Sequence, residues 1–439
     1  MYGGLGRQRL WSAGIDGADT VTDVARTRGA LVKDNGTTWR KSVDRETRSA
    51  SQSGFRPGRQ SGPPRRRIWV RRTGVVMVLP LAWLSWSVGG VLVAPGTDTV
   101  TARLAEWARF HGMGGVVSEL ERIQYQLAPP KVGGALAGAI PTETPATAGP
   151  SAQPTAVPTA HVTGSPEDLQ AIPAQTQPAL PGEGQWQPLV TLHGKPAIQA
   201  AFLRPDALHT SYLTGVTVID QSLVKMELHP GYQVPGGTGW LQPTDVPTSE
   251  RDALVATFNS GFRMADSRGG YWQDGQTGVP LRTGAASMVI NKNGRVDVVA
   301  WGGGAPGPDV VAVRQNLDLL VNNGTLAADI DSTTTRTWGK TVGNATYVWR
   351  TALGIRADGS LVFVAGDALS VRTLATIARD AGAVRAMEMD INKAWTNFIT
   401  YTHPSPGIAV PHMLTADEQP NPSRYLQPST RDFVAVLAR

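Results

Sequence analysis

Two carboxylates near the C-terminal end of the chain are the strongest candidates for catalysis. Glu388 and Asp390 stand in a predicted strand at about 385–391, and since side chains alternate along a strand, the two face the same side. Neighbouring carboxylates cannot both ionise freely, so we expect one of their pKa values to be raised. A protonated carboxylic acid beside an ionised one is what cleavage of a glycosidic bond requires. The alternative is an ordinary solvated strand end.

Other polar residues also stand near the ends of predicted strands. Arg350 would suit a phosphate or carboxylate, or could form a structural ion pair. Asn259 and Gly261 lie in the run FNSGF, where a tight turn with exposed amides could hold an oxyanion or sugar hydroxyl, or be an ordinary turn. Asp329 and Asp331 form a second acidic pair in a Thr-rich stretch, where capping and turn formation compete with a calcium site.

Several kinds of site are excluded or disfavoured by composition and spacing. The chain has no cysteine, which excludes disulfides, thiolate metal sites and cysteine nucleophiles. Its 7 histidines show no HxH or HExxH spacing, so no zinc site is expected. Neither a GxSxG motif nor a Walker loop is present. We therefore predict no cofactor and no metal ligands, with a divalent cation such as calcium left open.

The elements that must position these residues predict an α+β fold. Asn293-Gly294 and Asp358-Gly359 each lie between strand-like runs and indicate hairpins. A helix is predicted at about 370–381, with Gly382 as its natural end, and the strand at about 385–391 follows. Strand, helix and strand in this order predict a βαβ-like crossover inside a mixed sheet.

Four segments are predicted to precede a globular domain at 186–439. Residues 1–72 hold 16 Lys and Arg against 6 Asp and Glu, a net charge of +10 that leaves −4 for the rest, and predict a basic, disordered tail. Residues 73–94 carry no charge and would reach ~33 Å as a transmembrane helix. Short amphipathic helices at 95–128 and a Pro/Ala/Thr-rich linker at 129–185 follow.

The arginines before the apolar segment determine the predicted topology. By the positive-inside rule, the tail lies in the cytoplasm and the C-terminal domain outside the membrane, on a single-pass protein of the cell membrane. A cleaved signal peptide is the alternative, but the leader and the apolar run are both too long for one. Topology and anionic lipid also explain the basic tail, so no nucleic-acid partner is expected.

Five segments in a fixed order resemble the phosphodiester glycosidase family, the family of the lysosomal "uncovering" enzyme. They are ATFNSGFRM (256–264), GGYW (269–272), TGAASMVINKNGRV (283–296), VWRTALGIRADGSLVFV (348–364) and AGAVRAMEMDINKAW (381–395). The resemblance covers roughly residues 195–439, and the anchor and stalk look like a membrane-tethered actinobacterial branch.

This resemblance implies hydrolysis of a sugar-1-phosphodiester at the glycosidic C–O bond, with a phosphate monoester as the leaving group. It implies catalytic roles for Asn259, Arg350 and Asp390, to which the strand argument adds Glu388. An arginine would neutralise phosphate charge, and a carboxylate would activate water or stabilise positive charge on the sugar ring.

The segment after Asp390 departs from the family pattern. The family commonly has a run Asp-Gly-Gly-Gly-Ser, whereas Asp390 is followed by Ile-Asn-Lys-Ala-Trp. Glycines would let backbone amides approach a phosphate. We predict Gly261, Asn392 and Trp395 as substrate-binding residues.

The sequence therefore predicts a membrane-anchored, extracytoplasmic hydrolase that cleaves sugar-1-phosphodiesters in cell-envelope glycans. Its expected partners are a cell-envelope glycan or sugar-phosphate polymer and the membrane, and its oligomeric state is open. The alternative is a non-catalytic glycan-binding or scaffolding module on the same fold. A shallow groove lined by Trp272, Trp338 and Trp395, with the carboxylates apart, would favour that alternative.

Overall fold

The computed structural model describes residues 82–141, 169–332, 338–339, 346–418 and 421–439. The predicted tail at 1–72 lies outside these residues, as does the first part of the predicted transmembrane segment, residues 73–81. Residues 82–92 are helical. None of the helices in the described ranges combines the length and the apolar character needed to cross a membrane. The membrane span at 73–94 stays a prediction.

Two helices lie in the region 95–128, where the sequence predicts amphipathic helices. They are α1 (Val100–Ala108) and α2 (Gly114–Leu127), joined by a π-helical turn at Arg109–Met113. The Thr99 hydroxyl caps α1 by accepting a hydrogen bond from the Ala102 amide at 3.2 Å. Within α1, the buried residue is Glu106 rather than an apolar one. Helix α1 therefore presents an acid to the domain.

Parts of the predicted linker at 129–185 belong to the folded domain. Ile140 and Ile172 are buried, and the Gly133 amide donates to the Leu208 carbonyl at 2.6 Å. The Glu183 carboxylate forms a buried ion pair with Arg204 at 2.8 Å. A few buried contacts therefore connect the proline-rich segments at 129–141 and 169–185, within the range predicted as a linker, to the domain. Residues 142–168 lie outside the described part of the chain.

The rest of the described chain forms three sheets and two further helices. The eight-stranded sheet contains β1 (Gln187–Leu192), β2 (Lys195–Leu203), β3 (Thr214–Ile219), β11 (Leu319–Asn322), β12 (Thr325–Leu326), β13 (Val348–Arg356), β14 (Leu361–Leu369) and β15 (Ala383–Glu388). The second sheet contains β6 (Tyr271–Gln273), β7 (Gln276–Val279), β8 (Ala286–Asn291), β9 (Val296–Ala300) and β10 (Val310–Gln315). The third contains β4 (Val224–His229), β5 (Leu254–Asn259), β16 (Phe398–Ser405), β17 (Ile408–Met413) and β18 (Phe433–Ala438). The helices are α3 (Met264–Ser267) and α4 (Val371–Asp380), and 3-10 turns lie at Thr248–Glu250 and Arg424–Leu426.

The strand orders confirm an α+β class, and they correct the predicted mixed sheet. The orders are β1-β2-β3-β14-β13-β15-β11-β12, β7-β6-β10-β8-β9 and β17-β16-β5-β18-β4. Every strand pair formed by the described residues is antiparallel. The crossover through α4 is present, but β13 lies between β14 and β15. The strands that the crossover connects, β14 and β15, run parallel, but they do not pair because β13 lies between them.

The predicted turns and helix end are present in the structure. Asn293-Gly294 joins the paired strands β8 and β9, and Asp358-Gly359 joins β13 and β14. The Ser370 side chain caps α4 by accepting from the Thr373 amide at 3.0 Å, and Gly382 follows the helix with a φ of 94°. These local signals depend on turn and cap chemistry that the sequence carries directly.

Aromatic packing joins the eight-stranded sheet to the third sheet. The Phe258 ring of β5 lies 5.0 Å from Phe363 of β14 and 6.0 Å from Phe398 of β16, between ring centroids. All three side chains are fully buried. This contact fixes the eight-stranded sheet against the third sheet. The ends of β5, β13, β15 and β18 meet as a result.

Candidate active site

Antiparallel pairing brings the predicted site residues together. In the eight-stranded sheet the start of β13, which carries Arg350, lies beside the end of β15, which carries Glu388. In the third sheet the start of β18 lies beside the end of β5, which carries Asn259. Residues that are far apart in the chain therefore meet where the two sheets touch.

Glu388 and Arg350 form a fully buried ion pair. The Glu388 Oε1 atom accepts from Arg350 Nη1 at 2.5 Å, and the two side chains are 0% and 2% exposed. Burial raises the pKa of Glu388 to about 6, although Arg350 opposes the rise. The Glu388 Oε2 atom is buried and accepts no hydrogen bond from the described residues.

Arg350 is largely committed to the protein itself. Besides Glu388, it donates from Nε to the Leu369 carbonyl at 2.9 Å and from Nη2 to the Thr346 carbonyl at 3.3 Å. The guanidinium is thus held by partners on three sides and is 1% exposed. Of the two roles that the sequence left open for this arginine, the geometry favours the structural ion pair.

Asp390 follows β15 and is held by a different arginine. Its Oδ1 accepts from the amides of Ile391 at 2.7 Å and Asn392 at 3.1 Å, and its Oδ2 accepts from Arg431 Nη2 at 3.2 Å. Burial raises its pKa to about 6, while Arg431 and the two amides oppose the rise. We predicted one raised pKa, and both carboxylates show one because both are desolvated.

The segment after Asp390 uses its amides internally. The amides of residues 391 and 392 donate to the Asp390 carboxylate. The Asn392 side chain accepts from the Ala394 amide at 2.9 Å and closes a local turn. In place of a glycine-rich loop open to a phosphate, the chain has a turn that orients its own acid.

Asn259 links the two sheets beneath these carboxylates. Its Nδ2 donates to the Thr351 hydroxyl at 3.2 Å, and its Oδ1 accepts from the Asn397 amide at 3.3 Å. The Thr351 hydroxyl also accepts from the Asp390 amide at 3.1 Å. Asn259 is 3% exposed. In this arrangement Asn259 positions Asp390 through Thr351.

Gly261 occupies a conformation that other residues avoid. Its φ is +139°, and a Cβ at this position would lie 2.2 Å from the Asn316 side chain. The Gly261 carbonyl accepts from Arg431 Nη2 at 3.2 Å. Glycine therefore allows the backbone to approach both the Asn316 amide and the arginine that holds Asp390.

A buried arginine network fixes the neighbouring turn. Arg314 donates from Nε to Asp432 Oδ2 at 2.6 Å, and both side chains are 0% exposed. Asp432 also accepts from the Ser260 hydroxyl. The network joins β10 to the start of β18 and so holds Arg431, the residue before Asp432, in place.

Trp395 forms part of the wall beside Arg431. It is 5% exposed, and the guanidinium carbons of Arg431 and Arg424 lie 4.9 and 4.7 Å from its ring centroid. Trp338 is also buried, at 3% exposure, and donates to the Asp329 carbonyl at 2.9 Å. These tryptophans do not line an open groove. Asp331 forms an exposed ion pair with Arg372.

Helix α1 delivers a carboxylate to this site. Glu106 is 5% exposed, and its Oε1 lies 3.7 Å from Arg431 Nη1 while its Oε2 lies 3.5 Å from Arg263 Nε. Arg109 Nη1 also lies 3.7 Å from Oε1. Three guanidinium groups thus surround one carboxylate, next to the arginine that holds Asp390. The arrangement is a cationic site suited to an anion.

Sequence reasoning missed Arg431 and Glu106. Arg431 stands in the run STRDF near the C-terminus, and Glu106 lies on a helix that is predicted from its apolar residues. The sequence feature that could have indicated both residues is a charged side chain beside apolar helix or strand positions. Among the described residues, one group of metal-type ligands lies together, namely Glu227, His229 and Glu250, and it includes none of the predicted site residues.

Part of the chain is similar to a known protein family. Residues 252–390 match the family model NAGPA, described as phosphodiester glycosidase. This segment contains Asn259, Gly261, Arg350, Glu388 and Asp390. Residues 252–390 are therefore similar to the phosphodiester glycosidase family.

Two solved structures show a weak similarity to part of the chain. One is the zebrafish N-acetylglucosamine-1-phosphodiester alpha-N-acetylglucosaminidase catalytic domain auto-inhibited by pro-peptide, at 17% identity and a TM-score of 0.38, covering 58% of this chain and 88% of that chain. The other is a hypothetical protein from Synechocystis, at 13% identity and a TM-score of 0.32, covering 56% and 63%. No curated protein matches the chain.

Proposed function

We propose that this protein is a membrane-anchored, extracytoplasmic hydrolase that cleaves the glycosidic bond of sugar-1-phosphodiesters in cell-envelope glycans. The observation that carries the proposal is the position of Arg431. It contacts Asp390, whose pKa is raised to about 6, and it faces an anion at the same time. A carboxylate next to an anion site is the arrangement that hydrolysis of a charged glycoside needs.

The phosphate would take the place that the Glu106 carboxylate now fills. Arg431 and Arg263 both lie within 3.7 Å of that carboxylate and would neutralise the phosphate charge. In the reaction, the bond between C1 of the sugar and the bridging oxygen breaks, and its electron pair stays on the phosphate. Since a phosphate monoester is weakly basic, the leaving group needs less acid assistance than an ordinary sugar oxygen.

Asp390 would act at the sugar carbon. Its carboxylate would accept a proton from the water that attacks C1, or stabilise positive charge on the ring as the bond breaks. Both roles need the ionised form. Glu388 would position the site through its buried pair with Arg350, and its unpaired Oε2 would accept a hydrogen bond from substrate or water.

The proposed membrane location has separate support. Residues 73–94 are uncharged and follow a tail of net charge +10. On α2, a stripe of apolar side chains is exposed: Val116, Leu120, Ile123 and Leu127. Such a stripe close to the predicted span would be covered by lipid.

The rival function, a non-catalytic glycan-binding module, receives less support. It calls for a shallow groove lined by Trp272, Trp338 and Trp395, but Trp338 and Trp395 are buried and Trp272 is half-buried. It also calls for carboxylates that lie apart, whereas Glu388 and Asp390 stand two residues apart in the chain and are each paired with a buried arginine.

The test uses residues 95–439, because the segments at 129–141 and 169–185 pack into the domain. Release of free sugar from an N-acetylglucosamine-1-phosphodiester and from a panel of other sugar-1-phosphodiesters would be measured from pH 4 to 9. We expect activity to rise through about pH 6 as Asp390 ionises. Asp390→Asn should lose on the order of 10²-fold or more in kcat.

The control is Asp331→Asn, which alters an exposed carboxylate outside the site and should leave activity unchanged. All variants would be checked for folding by circular dichroism. If neither the wild type nor Glu106→Gln releases sugar from any substrate, while the folded domain binds glycan, the binding-module function replaces the hydrolase.

A further inference from the structure

A second polar cluster lies away from the predicted catalytic residues, on the edge strand of the third sheet. Glu227 and His229 stand two positions apart on β4, so they share a face of the strand. Glu250, in the 3-10 turn Thr248–Glu250, approaches the same face. One potential ligand atom from each of the three residues lies within 4.8 Å of the other two.

The His229 ring is fixed with one nitrogen directed away from every donor. Its Nδ1 lies 3.0 Å from the Pro243 carbonyl, and because a carbonyl only accepts, Nδ1 carries the proton. The ring stacks on Phe433 at 4.7 Å between centroids and an angle of 11°. With its proton on Nδ1, the neutral imidazole has a lone pair on Nε2.

That Nε2 atom is buried without a hydrogen-bond partner in the described part of the chain. His229 is 0% exposed, and the Glu250 Oε2 atom is likewise buried and unpartnered. The lone pairs of His229 Nε2 and Glu250 Oε2 are therefore unsatisfied by the described residues. Leaving such atoms unsatisfied is unfavourable, and a bound cation would remove that cost.

His229 and Glu227 also form the hydrogen bonds to their surroundings that metal-ligating residues usually form. Ligating histidines usually donate their other ring N–H to a carbonyl or carboxylate, as His229 does to Pro243. Ligating carboxylates are themselves hydrogen-bonded, and Glu227 accepts from Lys225 Nζ at 2.7 Å and Gln242 Nε2 at 3.2 Å. Each Glu227 oxygen keeps a second lone pair for a cation.

We propose that Glu227, His229 and Glu250 bind a divalent transition-metal ion of the Zn²⁺ class. An imidazole nitrogen beside two carboxylates favours Zn²⁺ over Ca²⁺ and Mg²⁺, which prefer oxygen ligands alone. The ion would join the edge strand β4 to the Thr248–Glu250 turn and close the segment 230–247 between them. It would also hold the His229 ring against Phe433, the residue after Asp432.

The test measures metal bound to the full-length chain, purified in detergent, stripped with chelator and dialysed against Zn²⁺. We expect about one tightly bound Zn²⁺ per chain and a rise in melting temperature on adding Zn²⁺ but not Mg²⁺. His229→Gln and Glu250→Gln should each bind Zn²⁺ at least about tenfold more weakly and lose the thermal shift. Glu119→Gln changes an exposed glutamate on α2 and is the matched control.

The chief rival is a proton on Glu250 that satisfies the cluster without any metal. In that case Glu250→Gln, which supplies its own N–H donor, would keep wild-type stability, and Zn²⁺ would shift neither protein. Equal Zn²⁺ binding by the wild type and Glu250→Gln would also overturn the proposal, since the metal would then lie elsewhere. Glu250 is only partly buried, so this variant remains informative if His229→Gln fails to fold. Metal content is independent of hydrolase activity.

Discussion

Replacing Arg350 with methionine should destabilise the domain, and more strongly at pH 8 than at pH 5. The substitution keeps most of the side-chain volume but removes the charge that pairs with Glu388. Burial has already raised the pKa of Glu388 from its ordinary value of 4.5 to about 6, so the wild type loses stability as the pH rises from 4.5 to about 6 and no further above it. Arg350 limits that cost, and without it the pKa rises further.

The loss of stability in Arg350→Met should be large because the Arg350–Glu388 ion pair is fully buried. Breaking a buried ion pair by removing one partner costs about 3–5 kcal/mol. Below about pH 5, Glu388 is protonated in both proteins, so the variant loses only neutral contacts. Between pH 6 and 8 the wild-type carboxylate ionises while the variant's stays protonated, which widens the difference by up to about 2–3 kcal/mol, at about 1.4 kcal/mol per pH unit.

Urea unfolding followed by tryptophan fluorescence at pH 5, 6, 7 and 8 would measure this difference. The matched control is Arg372→Met, which removes an exposed partner of Asp331 and should show little change at any pH. The double variant Arg350→Met/Glu388→Gln should lose the additional pH dependence of Arg350→Met, because the carboxyl that pairs with Arg350 is gone. A loss in Arg350→Met that stays constant from pH 5 to 8 would refute the assignment of Glu388 as its charge partner.

Three further predictions concern single positions. Gly261→Ala should lower the free energy of unfolding by more than about 1 kcal/mol, because Gly261 has a φ of +139° and a Cβ there would clash with Asn316. The control is Gly302→Ala, whose Cβ would have no neighbour within 4 Å, and it should change the thermal melt little. Glu418→Gln should change the free energy of unfolding by less than about 1 kcal/mol at pH 7, since burial raises the pKa of Glu418 well above its ordinary value and favours the neutral form that glutamine resembles. A larger loss in urea unfolding would mean that Glu418 is ionised. Glu106→Gln should lower the KM for a sugar-1-phosphodiester by removing the negative charge at the anion site; an unchanged KM would show that the phosphate binds elsewhere.

Local chemistry made part of the fold predictable. Asn293-Gly294 and Asp358-Gly359 determine hairpins because few other dipeptides adopt those turns. Gly382 ends α4 by the same logic. The sheet type was not predictable in this way. Which strands pair depends on long-range packing, and β13 between β14 and β15 turned an expected parallel contact into two antiparallel ones.

The acidic candidates were also predictable, since Glu388 and Asp390 stand two residues apart and their chemistry is local. Their partners were not. Arg431 meets Asp390 across 41 residues of sequence, and Glu106 reaches the site from a helix outside the matched family segment. The proline-rich segments likewise gave no sign that Ile140 and Ile172 anchor them.

The sequence by itself determined the charges, the turns and the pair of acids, because each depends on a residue and its close neighbours. Only the tertiary structure decided that Arg350 is committed to Glu388, that Arg431 is the arginine facing an anion, and that both acids have raised pKa values. These properties come from burial and from contacts between distant segments. Desolvation sets the pKa of a carboxyl, and the fold alone determines how much water reaches it.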